Sequence, residues 1–255
     1  ADTSVDREIS AAMQSHGLRS EDDYAGLIAR ATVLSVPEDG DITEAATRAS
    51  QVLSNILRVE PEDVRERFLE TGSLWIQPSE THPTATPVAF FDDSEVDHLV
   101  IVRSETGIVI PAEWGGRNEM VNALFFLAGT ANKPGRSLRL AGELAAYLHT
   151  DDAMVVAEAS FESEVKEALL PGLEVGQYLL LPEAEIGALI GKTIEELQID
   201  QELHIEAIYR RGEIIQPLNE TVLLADDQLT VIGPSGLLPT SAEIAGNFIR
   251  KPDLN

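Results

Sequence analysis

The stretch "VNALFFLAGTANKPGRSLRLAGELAAYL" (121–148) constrains the fold most. Its first nine residues form an apolar, aromatic run that ends in small residues, which reads as a strand. A short loop containing Pro134 follows, and from there to His149 apolar residues recur at helical spacing. Strand, loop and amphipathic helix in that order imply a helix that closes over a sheet. The runs upstream supply the rest of that sheet. "PVAFF", "HLVIVRS" and "GIVIP" are β-branched or alternating and read as separate strands.

Helices come first in the chain. Residues 5–34 carry apolar positions at helical spacing around "YAGLIARA", and "ATVLSV" (31–36) reads as an edge strand. "PEDGD" is a break, with Asp41 placed to cap a helix over 42–57. "PEDVRERFLE" (61–70) opens another helix with Pro61 in its first turn. Residues 71–87, rich in Thr, Pro and Ser, read as loop. After the long helix, "DAMVVAEA" is expected as a short strand and "FESEVKEALL" as a helix. "LLPGLEVG" (169–176) marks a boundary, beyond which the texture changes to short strands and turns. "QYLLLP", "HIEAIYRRG", "ETVLLADD" and "QLTVIGP" are the expected strands there, with one short helix at "TIEELQ". The expected organisation is a domain over 1–170, a smaller one over 171–236 and a polar tail over 237–255.

Composition excludes several function classes. The 255 residues contain no Cys, so disulfides and thiolate metal sites are ruled out, and no metal or cofactor is expected. No apolar run reaches the ~18–20 residues of a membrane span. Lys and Arg total 18 against 44 Asp and Glu, a formal charge of −26. Such a surface repels nucleic acid and anionic lipid. Only four of the cations are Lys. A carboxylate-rich, Lys-poor surface suits a halophile's salty cytoplasm, where ~1 M salt shrinks the Debye length to ~3 Å. The plainer alternative is an ordinary acidic protein.

The order of elements over roughly 20–170, and "ALFFLAGTANKPGRSLRLAGELAAYL" above all, resembles the type-2 enzyme IIA domain of the sugar phosphotransferase system. The resemblance implies a mixed α/β fold, with a mixed sheet flanked by helices. Members of that family place a histidine at the start of the late helix, and a Pro-His pair ending an earlier strand accepts the phosphoryl group. Here Ser137 holds the late-helix position, with Arg136 beside it. A hydroxyl can hydrogen-bond an anion but cannot carry charge, whereas Arg136 does. Two registers replace the acceptor pair. One puts Phe91-Asp92 there and needs the smaller insertions; the other puts Pro78-Ser79. Neither leaves a histidine. Asp92 reads either as a fixed charge at the acceptor position or as one more surface carboxylate. His82, in the loop between the candidates, has the plain reading of a solvated side chain and the functional reading of an acceptor. His16, His98, His149 and His204 read as structural. The domain is therefore expected to be a degenerate enzyme IIA fold, not an enzyme.

Residues 186–234 resemble the TrkA-C domain of regulators of potassium conductance. The pattern is Gly191, a short helix at 193–198, "IEAIYRR" ending in Arg210 and Arg211, then Pro217, then "ADDQLTVIG". Gly191 and Gly212 suit turns with positive φ, and Asp226-Asp227 suits the turn before the last strand. The resemblance implies a small β-rich, dimerising domain. It also implies an anion or nucleotide pocket at the dimer interface, with Arg210, Arg211 and Pro217 as its residues and cyclic di-AMP as a possible ligand. The plain reading of the Arg pair is balance for an acidic surface.

A degenerate enzyme IIA domain followed by a TrkA-C domain resembles the cytoplasmic tail of a secondary transporter, a cation:proton antiporter first and an amino-acid permease second. The expected partners are an N-terminal transmembrane domain of the same polypeptide and a second copy of the chain, at the cytoplasmic face of the membrane. The alternatives are a free-standing cytosolic binding protein and a genuine phosphocarrier using His82 or Asp92.

Overall fold

The computed structural model describes residues 24–36, 40–70, 74–76, 84–92, 94, 96–112, 118–148, 153–159, 161–170, 172–197, 202–211 and 213–238. They fall into two compact units, Tyr24–Gly172 and a second beginning at Leu173. Among the described residues no helix is long and apolar enough to cross a membrane.

The first unit is a three-layer mixed α/β structure. Of the helix expected over 5–34, α1 is described as Tyr24–Arg30; the first 23 residues lie outside the described ones. Next come β1 (Thr32–Ser35), α2 (Ile42–Leu57), α3 (Pro61–Leu69), β2 (Leu74–Ile76), β3 (Thr84–Phe91), β4 (His98–Ile110) and β5 (Glu119–Thr130). The five strands lie in the order β1-β4-β5-β3-β2. β1 runs parallel to β4 and β3 parallel to β5, while the β4–β5 and β2–β3 pairs are antiparallel, so the sheet is mixed. After it come α4 (Pro134–Tyr147), α5 (Ala153–Glu158) and α6 (Glu162–Ala168).

Local signals set the first helices. Asp41 caps α2, its carboxylate accepting from Glu44 N at 2.9 Å, and Arg58 ends the helix in the left-handed region at φ 56°. Ile42, Ala45, Ala46, Ala49, Leu53 and Leu57 make its buried face. Together with Val64 and Phe68 of α3, they cover one side of the sheet, against Val100, Val102, Leu124 and Phe126. Phe68 meets Phe126 edge-on, with ring centroids 5.2 Å apart. Strand alternation turns Leu99, Ile101, Phe125 and Leu127 to the opposite side, where the buried Leu140, Ala141 and Leu144 of α4 lie. Lys166 of α6 is fully buried, and its ammonium donates to Ala29 O at 2.9 Å and pairs with Glu162 at 2.7 Å. Burial pushes this lysine down from its ordinary value.

Three expectations for this unit are corrected. The 71–87 segment is not all loop: β2 lies within it and pairs with β3, which itself begins at Thr84. "HLVIVRS" and "GIVIP" form one strand, β4, whose register against β5 shifts between Arg103 and Ile108. Within "DAMVVAEA" Ala153–Glu158 is helix, α5, because a short apolar run fits either period and tertiary packing decides. There, Arg103 of β4 donates to Ala159 O at the end of α5.

The second unit is a small antiparallel sheet. β6 (Leu173–Leu179), β7 (His204–Arg210), β8 (Glu213–Ile215) and β9 (Gln228–Pro234) lie in the order β6-β9-β7-β8. Tyr178, Leu180, Leu189, Ile205, Ile208, Leu229 and Val231 belong to its core. Gly191 takes φ 87° as its turn requires, whereas Gly212 lies outside the described residues. Of the helix expected at 193–198, the described residues 193–197 form none, Gln198 lying outside them, and a 3₁₀ turn at Glu185–Leu189 stands before them. Thr193 and Glu196 do exchange the reciprocal bonds of a capping box. The next backbone donors go elsewhere, Ile194 N to Thr221 O at 3.1 Å and Glu195 N to Asn219 O at 3.0 Å. Glu196 N and Leu197 N then close onto Thr193 O and Ile194 O, both at 3.1 Å, so the segment is a run of turns tied to residues 219–221 and not a regular helix. "ETVLLADD" is likewise no regular strand; within it Val222 bridges Thr193. The tail is described only to Leu238.

Candidate functional sites

In the first unit the ends of β3 and β5, the start of β4 and the first turn of α4 meet at one edge of the sheet. Ala131 N donates to Phe91 O at 3.0 Å and Asn132 Nδ2 to Asp92 O at 3.2 Å, tying the β5–α4 loop to the end of β3. Pro134 then opens α4. Gly129 lets that turn sit directly on β5: a Cβ there would lie 2.7 Å from the Ser137 side chain.

The centre of this edge is Asp97, which the sequence reading did not single out. Its carboxylate accepts from Arg136 Nε at 2.6 Å, from the Ser137 hydroxyl and from Thr130 N at 3.4 Å. The side chains of Asp97 and Arg136 are only 2% and 6% exposed. Ser137 is 0% exposed. The two late-helix residues are therefore brought together, and what they hold is an internal carboxylate. His98, next in β4, is half-buried. Burial first, then the guanidinium charges of Arg30 and Arg136, push its imidazole down to about 4, against an opposing pull from Asp97. It is neutral at pH 7.

Of the acceptor candidates, Phe91 and Asp92 reach this edge through their backbone carbonyls, which the β5–α4 loop binds. Phe91 is buried, with the Arg67 guanidinium 5.3 Å from its ring centroid and Arg67 Nη1 donating to Phe90 O at 2.7 Å. Asp92 is exposed. Ser79 and His82 lie outside the described residues. Among the described residues no group of three or more His, Asp or Glu side chains could hold a metal ion.

In the second unit Arg210, at the end of β7, forms a fork with Asp227. Nε reaches Oδ1 at 2.7 Å and Nη2 reaches Oδ2 at 2.8 Å, while Nη2 also donates to Val222 O at 2.7 Å. Asp227 is 0% exposed and also accepts from Leu224 N at 2.8 Å. Its hydrogen bonds to the guanidinium raise the Arg210 pKa above its ordinary value. The preceding residue, Asp226, takes φ 65° in the turn. Arg210 thus fastens the turn before β9 to the end of β7. Arg211 is exposed, at φ 52°, and Pro217 is buried. In the same unit Leu179, Leu218, Val222 and Leu224 expose apolar side chains. Tyr178 has its phenol pushed up, chiefly by burial.

Comparison with known proteins gives three findings. No curated protein matches the sequence. Among solved structures, the nitrogen regulatory protein IIA-Ntr from Neisseria meningitidis aligns with 19% identity and a TM-score of 0.47, over 56% of this chain and 94% of that one. Residues 184–245 match the TrkA-C domain family, a segment that takes in β7, β8, β9 and the Arg210–Asp227 fork but not β6.

Proposed function

We propose that the chain is a non-catalytic regulatory module of a membrane secondary transporter, a cation:proton antiporter, lying at the cytoplasmic face of the membrane. The observation that carries the reading is the TrkA-C match across the second unit. TrkA-C domains are typically regulatory domains of potassium transport systems, and the step to an antiporter rests on that analogy. The non-catalytic part draws on Ser137, which has no exposed surface and gives its hydroxyl to Asp97. At that position the enzyme IIA resemblance expects a donor to the phosphoryl oxygens, and a buried hydroxyl bonded to Asp97 does not offer one.

In this reading the second unit works as a homodimer. The exposed Leu179, Leu218, Val222 and Leu224 supply an apolar surface of the kind that a symmetric pair covers. A phosphate-bearing ligand such as cyclic di-AMP would meet Arg211, the exposed cation beside the fork, because Arg210 is already held by Asp227. Ligand across the pair would favour one arrangement and pass that bias to the attached transporter. The test starts with the reading frame upstream of Ala1, where the proposal expects several apolar spans of ~20 residues. It continues with cation-driven proton flux in everted vesicles, comparing the intact product with one lacking this module. Flux that is unchanged by the deletion, under every ligand condition, overturns the regulatory reading.

A further inference from the structure

No further inference is drawn: the strongest candidate, the buried Asp97–Arg136–Ser137 cluster at the first turn of α4, bonds its own groups to one another at a helix N-terminus, and no second observation there points to a ligand.

Discussion

Replacing Asp97 by Asn keeps the shape of the side chain and one acceptor oxygen for Ser137 or Thr130 but removes the charge opposite Arg136. The pair is 2% and 6% exposed, so water replaces little of what is lost. Breaking a buried pair by removing one partner costs roughly 3–5 kcal/mol. The retained acceptor puts Asp97→Asn near the lower end, about 3 kcal/mol. Ser137→Ala removes one hydrogen bond and leaves the ion pair intact, so about 1 kcal/mol is expected. The double change Asp97→Leu with Arg136→Met removes both charges together and should cost less than Asp97→Asn alone. Denaturant unfolding followed by tryptophan fluorescence reads these differences in the right place, because Trp75 and Trp114 both fall within the first unit's span. The midpoint should move while the slope m stays constant. A loss below about 1 kcal/mol for Asp97→Asn, or a double variant whose cost is the sum of its parts, refutes the buried-pair reasoning.

Other consequences can be measured in the same preparations. The His98 pKa is lower folded, at about 4, than its ordinary 6.5, so its contribution is present above 6.5 and is lost as pH falls towards 4. At pH 5 the loss is about 2 kcal/mol, and His98→Phe should flatten that part of the stability–pH curve; an unchanged curve contradicts it. With a formal charge of −26, the melting temperature should rise from dilute buffer to molar KCl, and a flat response removes the halophile reading. Incubation with a phosphohistidine donor should leave the chain unlabelled; label that His82→Ala abolishes would establish phosphotransfer.

Features written in neighbouring residues were legible in the sequence, and features made by distant ones were not. The Asp41 cap, Pro61 at the start of α3 and the positive φ at Gly191 each need only a few consecutive residues to be read. The helical fate of "DAMVVAEA" depends on what packs over it, and the fate of 193–197 on where its backbone donors find acceptors across the turn. Asp97 stands 40 residues before Ser137 in the chain, and nothing local in "EVDHLV" announces that the two meet. Arg210 and Asp227 were both noted, one as a ligand residue and one as a turn former. Their fork, 17 residues apart, joins the two roles. Because Asp227 is wholly buried, Arg210→Ala would leave its charge uncompensated and damage the fold, so it cannot by itself report on ligand binding.

Calorimetric titration of cyclic di-AMP into the chain in molar KCl, with sedimentation of the same samples, tests the regulatory claim most directly. Wild type should sediment as a dimer at tens of micromolar and bind one ligand per two chains. Arg211→Ala should remain a folded dimer and lose at least tenfold in affinity, about 1.4 kcal/mol. A monomeric wild type, an absence of binding heat, or equal binding by the two proteins contradicts the account.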